Sequence, residues 1–224
     1  MNHQNQYNKK ALLFFAVFLL TGKIVSAHTI NYSLDNAPVH EVAWYYFKLG
    51  FTHIIPQGFD HVLFIIGICL INTKLKPIIY QASAFTVAHT IALALSMKNI
   101  IVAPSPVIEP IIALSIVFVA LENIILSELK PWRILLVFMF GLIHGLGFAS
   151  SLNEIGLPPN KFFTSILMFN VGVEVCQVII ITVLFSLLIR PFKNKLWYRY
   201  RIVYPISIVI ALLGSYWTIE RLIA

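Results

Sequence analysis

The sequence predicts an all-α fold, a polytopic membrane helical bundle with six transmembrane helices after an N-terminal signal peptide. Three observations carry that prediction. Of the 224 residues, 59% are apolar and only 11% are charged, against roughly 45–50% and about 25% in globular domains. A water-soluble domain of this length has too little polar surface to cover so much apolar content. The apolar residues also fall into runs near the ~20 residues that an α-helix needs to cross a bilayer. Finally, lysine and arginine are dense in alternate connections between those runs, as the positive-inside rule requires. The same composition excludes a soluble enzyme, a disordered chain and a disulfide scaffold. The formal charge of +7 has no basic domain behind it, so nucleic acid is not expected as a partner. Cys69 and Cys176 lie inside apolar runs with no CxxC spacing and read as buried thiols.

The elements follow in order. Lys9 and Lys10 precede a short apolar run, Ala11 to Leu20, and Val25-Ser26-Ala27 has the small-residue pattern of a signal-peptidase site. Residues 1–27 are therefore expected to be a cleaved signal, with an uncleaved anchor as the alternative; both place residue 28 outside the cytoplasm. Cleavage would leave His28 at the N-terminus, where an α-amine beside an imidazole can chelate metal. Residues 28–56 read as an external leader. Within it, 41–52 carries Trp44, Tyr45, Tyr46, Phe47 and Phe51 and suits an aromatic helix at the outer interface. The membrane domain is expected over 57–224, with spans at 57–73, 78–97, 106–127, 132–151, 162–189 and 202–222. The first is short and starts at Pro56 and Gly58; the fifth is long enough to tilt.

Charge tests the count. With the leader outside, the cytoplasmic connections hold Lys74, Lys76, Lys130, Arg133, Arg190, Lys193, Lys195, Arg199 and Arg201. The external segments hold Lys48, Lys98, Lys161 and Arg221. Every loop pair obeys the rule. The expected location is a bacterial inner (cytoplasmic) membrane, crossed several times, with both mature ends outside.

Ionisable groups inside spans cost about 2.5–3.5 kcal/mol each on the translocon scale, and mark function by default. This chain places Asp60, His61, His89, Glu109, Glu122, His144 and Glu174 in spans, with His53 just before the first. At ~1.5 Å per residue, His89 and His144 each lie about 12 Å from the outer end of their helices, and Asn170 and Glu174 about 12–18 Å from theirs. Groups from at least four helices are thus expected to converge in the outer half of the bundle, while Glu122 lies near the inner face. Asn170, Glu174 and Gln177 follow i, i+4, i+7 and share one face. Ala84, Ala88 and Ala92 form a small-residue stripe, and Gly141 and Gly145 flank His144. Small residues let helix backbones approach closely, so the helices of His89 and His144 are expected to pack tightly and bring both imidazoles to one point. Pro56 and Gly58 interrupt a helix beside His53, Asp60 and His61, and broken helices line cavities in transporters. Imidazoles with carboxylates suit nickel, cobalt and zinc.

These stretches resemble a known family. Gly50-Phe-Thr-His53-Ile-Ile-Pro-Gln-Gly58-Phe-Asp60-His61-Val-Leu-Phe64, Ala84-Phe-Thr-Val-Ala-His89-Thr-Ile-Ala-Leu93 and Glu109-Pro-Ile-Ile-Ala-Leu-Ser115 are similar to the HupE/UreJ family, in its second branch. The likeness continues through Phe140-Gly-Leu-Ile-His144-Gly-Leu-Gly-Phe-Ala-Ser150 and Phe169-Asn170-Val-Gly-Val-Glu174. The resemblance implies uptake of a divalent metal, nickel or cobalt, in connection with hydrogenase and urease maturation. It also implies His53, Asp60, His61, His89 and His144 as pathway ligands. A weaker likeness to the classical nickel–cobalt transporters breaks down at His53, which lies six residues before Asp60 instead of four.

The function expected from the sequence is therefore a permease for a divalent transition metal. Its site draws on His53, Asp60, His61, His89, His144, Glu174, Asn170 and Glu109, with Ni2+ or Co2+ as the transported ion and Zn2+ as a further candidate. The ion is expected to leave inward past or near Glu122. The expected partners are the metal ion, the lipid bilayer, a metalloenzyme maturation system and, compatibly with this fold, a second copy of the chain. Two other readings use the same residues: an intramembrane metalloenzyme with fixed zinc or iron, against which stands the lack of an HExxH motif, and an accessory membrane subunit of metalloenzyme maturation.

Overall fold

In the computed structural model, the described residues are 34–128 and 130–223; the expected signal segment and His28 lie outside them. The described residues form helices and no strand. In chain order these are α1 (Val39–Ile54), α2 (Phe59–Leu70), α3 (Leu75–Met97), α4 (Ser105–Ile125), α5 (Arg133–Ile155), α6 (Phe162–Leu184) and α7 (Tyr204–Ile223). A 3-10 turn at Pro159–Lys161 leads into α6, which runs on through a π-helical turn at Phe185–Ile189 to Phe192. A second π-helical turn, Arg199–Val203, opens α7.

Five of these helices, with their extensions, are long and apolar enough to cross a membrane, and α1 with α2 forms a sixth, broken unit bent by 69°. The expected span at 57–73 is observed as the 12 residues of α2. At 1.5 Å per residue that is about 18 Å, short of the ~30 Å apolar core of a bilayer, and α1 supplies the remaining length. The aromatic stretch at 41–52 belongs to α1, whose Val42, Tyr46, Gly50 and Ile54 are buried while Trp44 is exposed. Its buried face lies along α6.

Three helix pairs organise the bundle: α1 with α6, α3 with α5, and α4 with α7. Glycine is the device in each. Gly50 of α1 lies against the Phe169 backbone carbonyl, and Gly172 of α6 lies against that of Phe47. Each helix thus admits the other's main chain. Between α3 and α5, Gly141 meets the Phe85 carbonyl and Ala88, and Gly145 meets the His89 carbonyl and Ala92. This is the close approach expected from the alanine and glycine stripes, and it sets His89 and His144 on facing surfaces. Gly214 of α7 faces Val117 and Ala113 of α4. Without a hydrophobic drive between helices in lipid, such close packing is what holds the pairs together. Exposed apolar residues recur at helical spacing on the outer faces, as in Leu114, Phe118, Leu121 and Ile125 of α4 or Leu167, Val171 and Val175 of α6, the pattern of a lipid-facing stripe.

Helix ends are closed by side chains from elsewhere. The Arg199 guanidinium donates to the carbonyls of Asn123, Ile124 and Leu126, the last at 2.6 Å, and so caps the C-terminus of α4. α5 stops at Gly156, whose φ of 78° is a conformation glycine adopts without strain. The Gly156 carbonyl accepts the Tyr46 hydroxyl at 2.6 Å, tying α1 to the end of α5.

The close approaches make a graded prediction. A methyl group at Gly50 would strike the Phe169 main chain, whereas at Gly67 it meets only the side chain of Val119, at 2.8 Å. Overpacking costs about 1–3 kcal/mol where neighbours can yield. Gly67→Ala is expected to fall in that range and Gly50→Ala to exceed it, read as the drop in thermal unfolding midpoint in detergent. Equal drops would count against backbone contact as the cause.

Candidate metal centre

The break between α1 and α2 builds the first half of the site. His53 sits in the last turn of α1 and His61 in the first turn of α2. Residues 55–58 fold the chain back so that the two rings meet edge to face, with centroids 4.7 Å apart. Gly58 permits this: a Cβ there would collide with the His53 carbonyl and stand 3.2 Å from His61 Nδ1. The second half comes from the tight α3–α5 pair. His89 projects from α3, with its ring 6.3 Å from that of His53 and 6.4 Å from that of His61. His144 projects from α5, 5.1 Å from the His61 ring. Phe85, Phe148 and Phe169 wall the group; the His53 and Phe148 centroids lie 3.9 Å apart. One nitrogen from each of His53, His61 and His89 lies within 4.8 Å of the others. His144 stands beside this trio and outside it.

Hydrogen bonds orient three of the rings alike. His144 Nδ1 lies 2.8 Å from the Phe140 carbonyl, which can only accept, so Nδ1 carries the proton. His61 Nδ1 is 3.0 Å from Asp60 Oδ1. His89 Nδ1 is 3.0 Å from Asn170 Oδ1, and the Asn170 amide nitrogen donates to the Ile166 carbonyl at 2.9 Å, which fixes the amide with its oxygen toward the ring. Each neutral ring therefore donates through Nδ1 and keeps its lone pair on Nε2. The Nε2 atoms of His53, His61, His89 and His144 are all buried without a hydrogen-bond partner among the described residues. A buried polar atom left in that state costs about 1–3 kcal/mol, and four in one place call for an explanation. Rings whose far nitrogen is held by a carboxylate, amide or backbone carbonyl, with the near nitrogen bare, have the form of metal-ligating histidines.

The remaining candidates separate. Asp60 and Asn170 touch the cluster as orienting groups, on Nδ1 of His61 and His89. Glu174 lies on the same face of α6 as Asn170, yet its oxygens accept from Ser83 Oγ at 2.6 Å and Thr86 Oγ1 at 2.5 Å. It is thus engaged along α3, one turn from His89. The Glu109 side chain is exposed; what this residue offers is its carbonyl, which accepts from Arg221 at 3.1 Å. Glu122 is buried in an ion pair with Arg133 at 3.0 Å, beside Asn123, whose amide donates to the Gly67 carbonyl at 2.8 Å. That network ties α2, α4 and α5 together. Sequence reasoning missed Arg221, whose Nη2 stands 3.6 Å from Asp60 Oδ2. In the sequence it is one basic residue among sixteen, and only the fold carries it to the α2 N-terminus. Toward the other end of α2 from the cluster, a narrow gap beside His61 is lined by Phe64, Ile65, Ile68, Ala82, Phe85 and Gln177.

Compared with known families, residues 29–221 match the HupE / UreJ protein family. The chain belongs to the HupE/UreJ family. No curated protein and no solved structure matches it. The match takes in α1 to α7 almost entire, including each of the four histidines and the Asp60, Asn170 and Arg221 side chains around them. HupE/UreJ proteins are metal transporters or accessory proteins, not a known family of enzymes.

The tautomers can be checked in the metal-free protein. Ring 15N shifts of His61, His89 and His144 are expected to show the proton on Nδ1 and an unprotonated Nε2. Asn170→Leu is expected to abolish that preference at His89 alone. Protonation at Nε2 in the unaltered protein would remove the basis for reading these atoms as ligands.

Proposed function

We propose that this HupE/UreJ protein is a permease for a divalent transition-metal ion, with nickel or cobalt the first candidates and zinc next. The observation that carries the reading is the set of four buried Nε2 atoms, unpartnered and drawn from four helices. Neutral imidazole suits borderline divalent metals and offers little to Mg2+ or Ca2+, which take oxygen ligands. His53, His61 and His89 would receive the ion, with His144 as the adjoining ligand. Asp60 and Asn170 would act from behind the rings, holding orientation and raising basicity. The broken α1–α2 unit supports transport over fixed storage, since interrupted helices at the site are a recurrent feature of transporters.

Glu122, expected near the inward route, is paired with Arg133 at 3.0 Å. With an inner-membrane location and the α1 N-terminus outside, the membrane potential favours inward passage of a dication by about 4.6 kcal/mol per 100 mV, twice the single-charge value.

Flux into proteoliposomes, across a panel of divalent ions with and without a pH gradient, tests the reading. Wild-type protein is expected to carry Ni2+ or Co2+. His61→Ala and His144→Ala should lose more than the roughly 10–100-fold that removal of a supporting residue costs. Equal flux in wild type, variants and empty vesicles would overturn it. Binding should also weaken on acidification. Only the neutral ring offers a lone pair, so protons compete with the metal and binding releases them; affinity rising as pH falls would exclude histidine ligation.

A further inference from the structure

Asp60 divides its two oxygens between opposite charges. Oδ1 accepts from the His61 backbone N–H at 2.8 Å and from the His61 ring at 3.0 Å. Oδ2 faces the Arg221 guanidinium at 3.6 Å. Arg221 stands in the last turn of α7 and is held there by its bond to the Glu109 carbonyl. The two side chains retain 20% and 25% exposure, so the pair contributes little to stability. Its effect on the site is larger. Asp60 is the carboxylate in contact with the histidine cluster, since Glu174 is engaged by Ser83 and Thr86 and the Glu109 side chain is exposed. Arg221 sets a positive charge against that carboxylate, 3.6 Å from Oδ2.

A conducting site must bind firmly enough to admit an ion and weakly enough to release it. Several imidazoles backed by an uncompensated carboxylate would make a trap. We propose that Arg221 is the electrostatic counterweight of the histidine site, holding its affinity for a dication in the range that permits release. This rests on the histidines being a dication site. It also has a sign that a purely structural role lacks. If Arg221 only stapled α7 to α2 and α4, its loss would loosen Asp60 and His61, and binding would weaken. As a counterweight, its loss tightens binding and slows delivery.

Co2+ serves as the probe, with binding to the purified full chain followed by calorimetry and by the Co2+ absorption bands, and delivery followed in proteoliposomes. Removing one positive charge about 10 Å from a dication is expected to tighten binding about fourfold in the dielectric of bulk water at low ionic strength, and less as salt is added. Arg221→Gln, which keeps donors for the Glu109 carbonyl, should therefore bind Co2+ about fourfold more tightly at low ionic strength and deliver it more slowly at saturation. Arg221→Lys should return both quantities most of the way to wild type. Arg221→Cys gives a comparison within one folded protein, because Cys69 and Cys176 are buried. Labelled with a neutral methyl thiosulfonate it should bind tightly; labelled with a cationic aminoethyl thiosulfonate it should bind as wild type does. Wild-type binding with equal or weaker affinity in Arg221→Gln, or no difference between the two labels, overturns this proposal and leaves the transport reading standing. Absence of Co2+ binding by the wild type overturns both.

Discussion

An imidazole buried in an apolar bundle has two nitrogens to satisfy, and in this protein the fold satisfies one of them. The Nδ1 atoms of His61, His89 and His144 are spent on Asp60, Asn170 and the Phe140 carbonyl. The opposite nitrogens point into a space walled by phenylalanine, where no described group answers them. Much of the surrounding architecture serves that arrangement. Gly145 lets the His144 helix ride on the His89 carbonyl, and Gly58 lets the end of α1 close on the His61 ring. The bend of 69° between α1 and α2 lets one broken unit supply two of the four rings. A continuous helix could not do so, because residues eight apart, such as His53 and His61, are separated by about 12 Å along its axis.

The membrane raises the stakes of each choice. In water an unpaired ring nitrogen is solvated; in a helix bundle within lipid it carries its desolvation cost undiminished. The chain answers the same pressure differently at the far end of α2. There Arg133 and Glu122 are almost wholly buried, yet they pair with one another and lie beside Asn123 and the Gly67 carbonyl. That cluster joins three helices through groups that engage each other, as intramembrane polar residues do when they act as glue. In the histidine cluster three rings are held at Nδ1, and the Nε2 atoms lack a hydrogen-bond partner among the described residues. Glu122 and Arg133 also keep buried side-chain atoms without a hydrogen-bond partner among the described residues; the histidine cluster differs in its chemistry, four imidazole Nε2 atoms on rings of which three are held at Nδ1.

Much of this was legible in the sequence because membrane spans are written in composition and period. The five long helices follow from apolar runs. The close approach of the helices that carry His89 and His144 follows from Ala88, Ala92, Gly141 and Gly145; the two rings each lie beside His61. Pro56 and Gly58 announced the break. The extent of that break was hidden, since α1 reads as an aromatic interfacial helix until its contacts with α6 are seen; Gly50 and Gly172 gave the signal, but two glycines 122 positions apart declare no partnership. Equal depth also proved a weaker guide than facing direction. Glu174 and Asn170 share a stripe of α6, yet a rise of one turn delivers Asn170 to His89 and Glu174 to Ser83 and Thr86. Likewise Glu109 comes near the site only through its backbone, a role no side-chain pattern encodes.

Arg221 shows most clearly where the one-dimensional reading ends. As a lone basic residue near the close of the sequence it counts in a topology tally and nowhere else. In the fold it meets Asp60 across 161 positions of chain, and its charge becomes part of how the His61 ring is presented. Bringing the last helix onto the first broken one does what a local motif cannot. It places a cation 3.6 Å from the carboxylate that holds the His61 ring. Helix packing thus governs the geometry of the four rings and the electrostatics under which they work, and both depend on the same small-residue contacts between helices.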